Sequence, residues 1–319
     1  METNIKGKHI TGNAEVFGKA RVSGDARVSG DARASGNAQV SGKSEVSENA
    51  RVFGKARVFG KARVFGGAWV SENAKVSGNA RVFENARVFG DTQVSGNARA
   101  LRNAEVFGNA RVFGNAWVSG TAQVSGNAQV SGNAQVSGNA RIFGNARVFG
   151  NAWVSGNARV SGNAQVYGKA RVYENAKVYE NAKVSGDALV FGNASVFGKA
   201  QVSGNAWVFG NAEVSGYARI ESSAEVSGNA RISGNAEVSG NAQVSGYARI
   251  ESSADIAHGS GFYSWTLYRT ATGHTLVYGC VTLDVMNWKN DLDALCDEHD
   301  SRTAVRREIE HLLSHPMLS

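Results

Sequence analysis

A six-residue phrase repeats along most of the chain and limits what it can fold into more than any other feature. Its clearest stretch, Gly126 to Phe143, reads GNAQVS, GNAQVS, GNARIF. The aliphatic position can be followed from Val16 to Ile256 in steps of six, without insertion or deletion, over about 41 hexads. A repeat this strict predicts one architecture for residues 1–256 and a separate domain for residues 257–319, where the phrase stops.

Alanine and the aliphatic residue stand two apart in each hexad with a polar residue between them, as in Ala14, Glu15 and Val16. Alternate side chains of a β-strand point to opposite sides, so the spacing predicts strands of about three or four residues with Ala and Val inside. The Gly-Asn pair predicts a turn after each strand, because both residues tolerate positive φ. A helix is excluded, since each glycine would cost it about 1 kcal/mol.

Short strands that bend every six residues wind into a solenoid in which like residues stack. In this pattern the sequence resembles the left-handed parallel β-helix that is built from hexapeptide repeats. Val130, Gly132, Asn133 and Ala134 match that family's order of an aliphatic residue, turn residues and a small residue. The resemblance covers about 245 residues and implies an all-β solenoid with three hexads per coil and about 14 coils.

A coil of three hexads sorts the outward residues onto three faces. One face carries cations and glutamines, and no acid before Glu237. Another carries three tryptophans. The residues on these two faces that are candidates for interaction with a partner are Arg57, Lys75, Arg111, Arg147, Lys183, Trp117, Trp153 and Trp207.

The aromatic residues that precede many turns, such as Phe65, Phe83 and Tyr167, have two interpretations. They form an adhesive surface for a protein, a glycan or a nucleic acid, or they stack on one another and stabilise neighbouring coils. A few core positions also depart from the phrase. Ser44 and Thr92 replace the small alanine, which predicts local loosening of the core.

The charge is unevenly distributed. The chain carries a net charge of +7. Residues 257–319 hold five basic and eight acidic residues, a net charge of −3, which leaves +10 on the repeat. A basic rod attracts nucleic acid or an acidic surface, while the alternative is that its cations only keep it soluble.

The composition changes after Ile256. Residues 262–270 and 275–282 predict a β-hairpin, and residues 283–299 and 303–314 predict two helices. Together they predict a small α+β domain that caps the last coil. Its strand pair, WTLYRT and GHTLVYGC, resembles tails that follow hexapeptide repeats in phage and bacterial proteins of unassigned function.

The N-terminal end has no comparable cap in the sequence, and an open strand edge invites pairing with another chain. We therefore expect self-association, as an end-to-end dimer or a filament, through Ile5, Ile10 and Val16. No secretory signal or long apolar segment is evident, which predicts a cytoplasmic protein and no membrane partner, with a virion component left open.

Enzymatic and metal-dependent functions are the alternatives to this structural one. Hexapeptide-repeat solenoids include acyltransferases with a catalytic histidine on the coil, but this chain has no histidine between residues 10 and 257. Cys280, Cys296, His299 and His274 have the residue types of a zinc site, yet their loose spacing favours buried cysteines and surface histidines. The sequence thus predicts a structural or interaction rod without catalytic residues, metal or cofactor. Its alternative is a binder of nucleic acid or another polyanion.

Overall fold

The computed structural model of the chain describes residues 9–260, 264–270, 273–278, 281–286 and 302–316. The chain divides into two compact units, Met1–Glu174 and Asn175–Ser319. Each unit is built mainly from strands of two residues that recur every six residues. No helix among the described residues combines the length and the apolar composition that crossing a membrane requires.

The described part of the first unit holds strands β1 to β27. They run in constant steps of six, Glu15–Val16 (β1), Arg21–Val22 (β2), Arg27–Val28 (β3) and so on to Arg171–Val172 (β27). Strands three apart in this order pair in parallel, so three sheets form, which we call face 1, face 2 and face 3 after their first strands. The prediction of three hexads per coil is confirmed. The strands are shorter than predicted, and the left-handed winding stays a prediction.

The second unit continues the pattern from Lys177–Val178 (β28), Lys183–Val184 (β29) and Leu189–Val190 (β30), which open its faces 1, 2 and 3, to Arg249–Ile250 (β40). The expected next hexad departs from it. Ile256 follows a short 3₁₀ helix, Ser253–Asp255, and opens a longer strand of a different sheet.

That sheet is antiparallel and consists of Ile256–Ser260 (β41), Ser264–Arg269 (β42), His274–Tyr278 (β43) and Val281–Asp284 (β44). The predicted hairpin is confirmed as β42 and β43, but its second strand ends at Tyr278, and Val281 and Thr282 lie in the next strand, β44. The predicted helix from Leu283 is wrong at its start, because Leu283 lies in β44 and is buried against the sheet's own core. The rest of that predicted helix, from residue 287, lies outside the described residues.

Helix α1, Arg302–Leu312, confirms the second predicted helix. Its Ile309 and Leu312 belong to one buried cluster with Leu267 and Leu276 of the sheet. Strand β42 also lies on the last coil, where Thr266 Oγ1 accepts a hydrogen bond of 2.9 Å from the Gln243 backbone N–H. The C-terminal sheet therefore covers the end of the coils and has a small core of its own.

The core of the coils is a column of Ala and Val or Ile. Side chains such as Val130, Ala134 and Ile142 have no solvent exposure. Backbone hydrogen bonds join each coil to the next; the Gln129 N–H, for example, donates to Ala146 O at 2.9 Å. Because most coils repeat Ala and Val or Ile at the inward positions, the core is similarly narrow along each unit.

Glycine sets the corners between strands. At the corner formed by Ser131 to Ala134, Gly132 has φ of +67° and the Ala134 N–H donates to Ser131 O at 3.3 Å. Only the glycine position uses positive φ, and no asparagine among the described residues does so. Seven corners have another residue in this left-handed conformation, namely Glu48, Glu72, Glu84, Arg102, Glu174, Glu180 and Ser222.

We predict that Gly132→Ala destabilises the protein more than Gly246→Ala. Both glycines have positive φ, but a Cβ on Gly132 would lie 2.9 Å from the backbone N and O of Gly150, whereas one on Gly246 meets nothing within 4 Å. The strained φ alone should cost about 1–2 kcal/mol, and the contact with Gly150 about 1–3 kcal/mol more. Urea unfolding followed by circular dichroism measures the difference. Equal losses of stability would show that coil-to-coil contact at the corner is unimportant.

The two polar residues of the alanine column differ in their hydrogen bonding. Ser44 Oγ donates to the carbonyl of Ser41 at 2.9 Å. Thr92 Oγ1 is buried and has no hydrogen-bond partner among the described residues. The two positions where the sequence predicts local loosening of the core therefore differ. The buried Thr92 hydroxyl is unsatisfied among the described residues, whereas the Ser44 hydroxyl is hydrogen-bonded.

We accordingly expect Thr92→Ala to raise the free energy of unfolding by about 1 kcal/mol, because it removes a buried unsatisfied hydroxyl from a position where other coils carry alanine. Ser44→Ala is the matched control and should lower that free energy by about 0.5–1 kcal/mol, since its hydroxyl is hydrogen-bonded. The same urea unfolding measurement applies. A loss of stability in Thr92→Ala as large as in Ser44→Ala would contradict the assignment.

Candidate interaction surfaces

Two of the predicted tryptophans form a row on face 3 of the first unit. Trp117 and Trp153 both pair in register with Gln135, which lies in the coil between them. Their side chains are 41% and 43% exposed. Trp207 is equally exposed on face 3 of the second unit, where Leu189 and Glu225 are its neighbours in the sheet.

A guanidinium group covers one flat side of Trp117 and one of Trp153. Arg99 lies 4.7 Å from the ring centroid of Trp117, and Arg171 lies 5.7 Å from that of Trp153. On face 1, Trp69 lies between Arg51 and Arg87 at 5.2 and 5.3 Å. Such cation–π contacts stabilise neighbouring coils. They occupy one side of Trp117 and of Trp153 and both sides of Trp69.

Within each unit, aromatic residues at the corners stack on an aromatic residue of the next coil. The pairs Phe65–Phe83 and Phe149–Tyr167 have ring centroids 4.9 Å apart, and their planes are parallel to within 4°. Phe113 has serines as its neighbours one coil away on either side, and its side chain is exposed. The stacking interpretation therefore accounts for the paired rings, and the exposed rings are those without an aromatic neighbour.

Some arginines of faces 1 and 3 form ion pairs that three cations of face 2 lack among the described residues. On faces 1 and 3 of the first unit, arginines pair with glutamates of the adjacent coil, as in Arg33–Glu15 at 3.1 Å. Among the described residues, no carboxylate lies within ion-pair distance of Lys75, Arg111 or Arg147. All three side chains are exposed.

The remaining two predicted cations of this set are also exposed. Arg57 lies on face 2 of the first unit, where its guanidinium is 5.6 Å from the ring centroid of Phe59. Lys183 lies on face 2 of the second unit. Towards the end of that face, Glu237 shares a hydrogen bond with Glu221. This hydrogen bond, burial and the charge of Glu237 all raise the pKa of the Glu221 carboxyl.

A groove on face 3 of the first unit was not identified as a site from the sequence. It has a volume of about 520 Å³ and is lined by Lys61, Arg63, Asn79, Arg81, Asn97, Arg99 and Asn115. The signal in the sequence is arginine at three consecutive positions that are 18 residues apart. A groove of about 590 Å³ on face 1 contains Trp69, and there Glu105 accepts one hydrogen bond from Gln123 and pairs with Arg87.

The N-terminal candidates occupy different environments. Ile5 lies outside the described residues. Ile10 forms a parallel bridge with Val28 and is half-buried, whereas the Val16 side chain is 1% exposed and belongs to the core. Val22, in the same first coil, is also half-buried.

Of the four residues that the sequence suggests as a zinc site, only His274 lies among the described residues. Cys280, Cys296 and His299 lie outside the described residues. His274 opens β43, and burial, followed by the nearby Arg269, holds its pKa below the ordinary value against the opposing effect of Asp255. In the described segments no group of three or more His, Cys, Asp or Glu side chains is arranged to hold a metal ion.

The family model of the YdcK β-solenoid repeat matches this chain in eight segments. They are residues 20–36, 104–120, 122–138, 134–148, 140–156, 152–168, 200–216 and 230–246. Each segment is about one coil long, which agrees with the parallel sheets and the 18-residue register. The chain is a parallel β-solenoid repeat protein. A search of curated proteins gives no match to this β-solenoid.

Proposed function

We propose that this β-solenoid is a non-enzymatic interaction scaffold whose faces present rows of side chains to a partner. The observation that carries the proposal is the pair Trp117 and Trp153, which are exposed and held in register two coils apart. The core beneath them is made of Ala, Val and Ile, so outward residues can change without disturbing it. A hexapeptide-type acyltransferase is the least favoured alternative, since the coils carry no histidine to act as a base.

We further propose that the protein self-associates through its first coil. Ile10 and Val22 keep part of their surface exposed there, whereas the corresponding valines of the following coils, such as Val40, are fully buried. Covering such apolar surface with a second copy of the chain is favourable. A symmetric contact would give a dimer, and contacts at both ends would give a filament.

Light scattering at micromolar concentrations tests this self-association. We expect a mass of at least two chains for the wild type and a shift towards the monomer for Ile10→Asn, with Ile142→Val as a control for small changes in the buried core. Negative-stain microscopy would distinguish dimers from filaments. A monomeric mass for the wild type at these concentrations would refute self-association.

Polyanion binding along face 2 is the second candidate function. It is favoured by the exposed cations Lys75, Arg111 and Arg147, none of which has a carboxylate partner among the described residues. Unpaired cations in a row attract a polymer of negative charge.

This second function predicts binding of heparin that weakens steeply between about 50 and 200 mM salt. The variant Arg111→Gln should weaken heparin binding further, because glutamine cannot supply the positive charge. Glutamine already alternates with arginine on this face, so the fold should accept the substitution. Arg33→Gln removes an equal charge from the ion pair with Glu15 on face 1 and serves as the control. Binding that does not depend on salt, or equal effects of the two variants, would count against face 2.

A further inference from the structure

The groove on face 3 of the first unit combines a row of arginines with a wall of amides. Arg81 pairs in register with Arg63 on one side and with Arg99 on the other. Lys61 lies at the end of the groove, in the corner position that the following coils fill with Asn79, Asn97 and Asn115. Four cations therefore line one side and one end of a groove of about 520 Å³.

The register of the arginines is unfavourable without an anion. Neighbouring coils are about 4.8 Å apart, and like charges directly opposite each other in a sheet are destabilising. Glu45 pairs with Arg63 at 3.4 Å. Among the described residues, no carboxylate lies within ion-pair distance of Arg81 or Arg99. In the first unit, this is the longest run of cations in consecutive outward positions of one face.

The amide wall can add neutral donors. Asn79 Nδ2 donates to Asn97 Oδ1 at 3.0 Å, and Asn97 Nδ2 donates to Asn115 Oδ1 at 2.9 Å. Each amide nitrogen has two N–H groups, so this ladder uses one of them and leaves the other for an oxygen of a ligand. The groove thus offers charged and neutral donors along one line.

We propose that this groove binds the phosphate backbone of a single-stranded nucleic acid. Guanidinium groups match phosphate oxygens with two parallel hydrogen bonds. The charges form one straight row, about 10 Å from Arg63 to Arg99, which suits a single backbone. Trp117 follows Arg99 in the same row and is exposed, and a basic groove beside an aromatic ring is the usual composition of single-strand sites.

The groove on face 3 contains none of the face 2 cations, so binding there can be tested separately. Its test is fluorescence anisotropy of a labelled oligothymidylate of about 15 nucleotides, titrated with the full-length protein at several salt concentrations. Contacts to three or four phosphates predict a slope of log affinity against log salt of about −2 to −3.

Two substitutions test the site with residues that the repeat already contains at equivalent positions. Arg81→Gln places on face 3 the residue that Gln135 supplies further along, and Lys61→Asn restores the usual corner residue. Each should lower the affinity roughly fivefold at 100 mM salt and flatten the slope by about 0.7, and the double variant should lose roughly 25-fold. Arg87→Gln, which removes an equal charge from the Arg87–Glu105 ion pair on face 1, should leave the affinity within about twofold.

Three results would overturn the proposal. The first is no binding of the oligonucleotide at low salt by a protein with a normal circular dichroism spectrum. The second is an equal loss in Arg81→Gln and Arg87→Gln, or a loss in Arg111→Gln of face 2 without one in Arg81→Gln. The third is that heparin binds more tightly than the oligonucleotide and that Arg81→Gln weakens the binding of both. That result would assign the groove to a sulfated glycan.

Discussion

Close stacking of the glycine corners is the constraint on which the structure depends. At Gly132 the backbone takes a positive φ, and the next coil approaches so closely that a Cβ would lie 2.9 Å from Gly150. The same contact recurs in this row at Gly96, Gly114 and Gly150, where a Cβ would lie 3.0 to 3.1 Å from the backbone N of the next glycine. An insertion of one residue would displace a corner from this column, which explains why the period stays at six throughout.

Because the corners are fixed, the inward residues and the outward residues of each hexad have separate roles. The inward positions must hold Ala and Val or Ile, because the column is narrow and fully buried. The outward position of each hexad does not contact that column, so it can hold Arg, Gln, Glu or Trp without changing the fold. Rows of outward residues 18 apart are therefore where a binding function is encoded, and the rows differ between faces although the coils do not.

Much of this architecture could be predicted from the sequence, because the determinants are local and repeated. The 18-residue register placed Trp117 and Trp153 on one face, and the hairpin of β42 and β43 followed from its own pattern. The state of the Thr92 hydroxyl could not be predicted, since it depends on which groups surround it in three dimensions. Leu283 was misassigned for a related reason: a short apolar segment reads equally well as helix or strand until its packing partners are known.

The groove on face 3 shows that this scaffold tolerates a row of like charges that is energetically unfavourable. Like charges in register cost about 0.2–1 kcal/mol for each pair, and the run from Arg63 to Arg99 contains two such pairs. Burial of one valine side chain contributes about 1.5–3 kcal/mol, and an ordinary coil buries three. Electrostatic repulsion on a face is thus small beside the stability of the coils below it. An arginine row of this kind persists in the fold whether or not an anion is bound, which leaves the site preformed for a ligand.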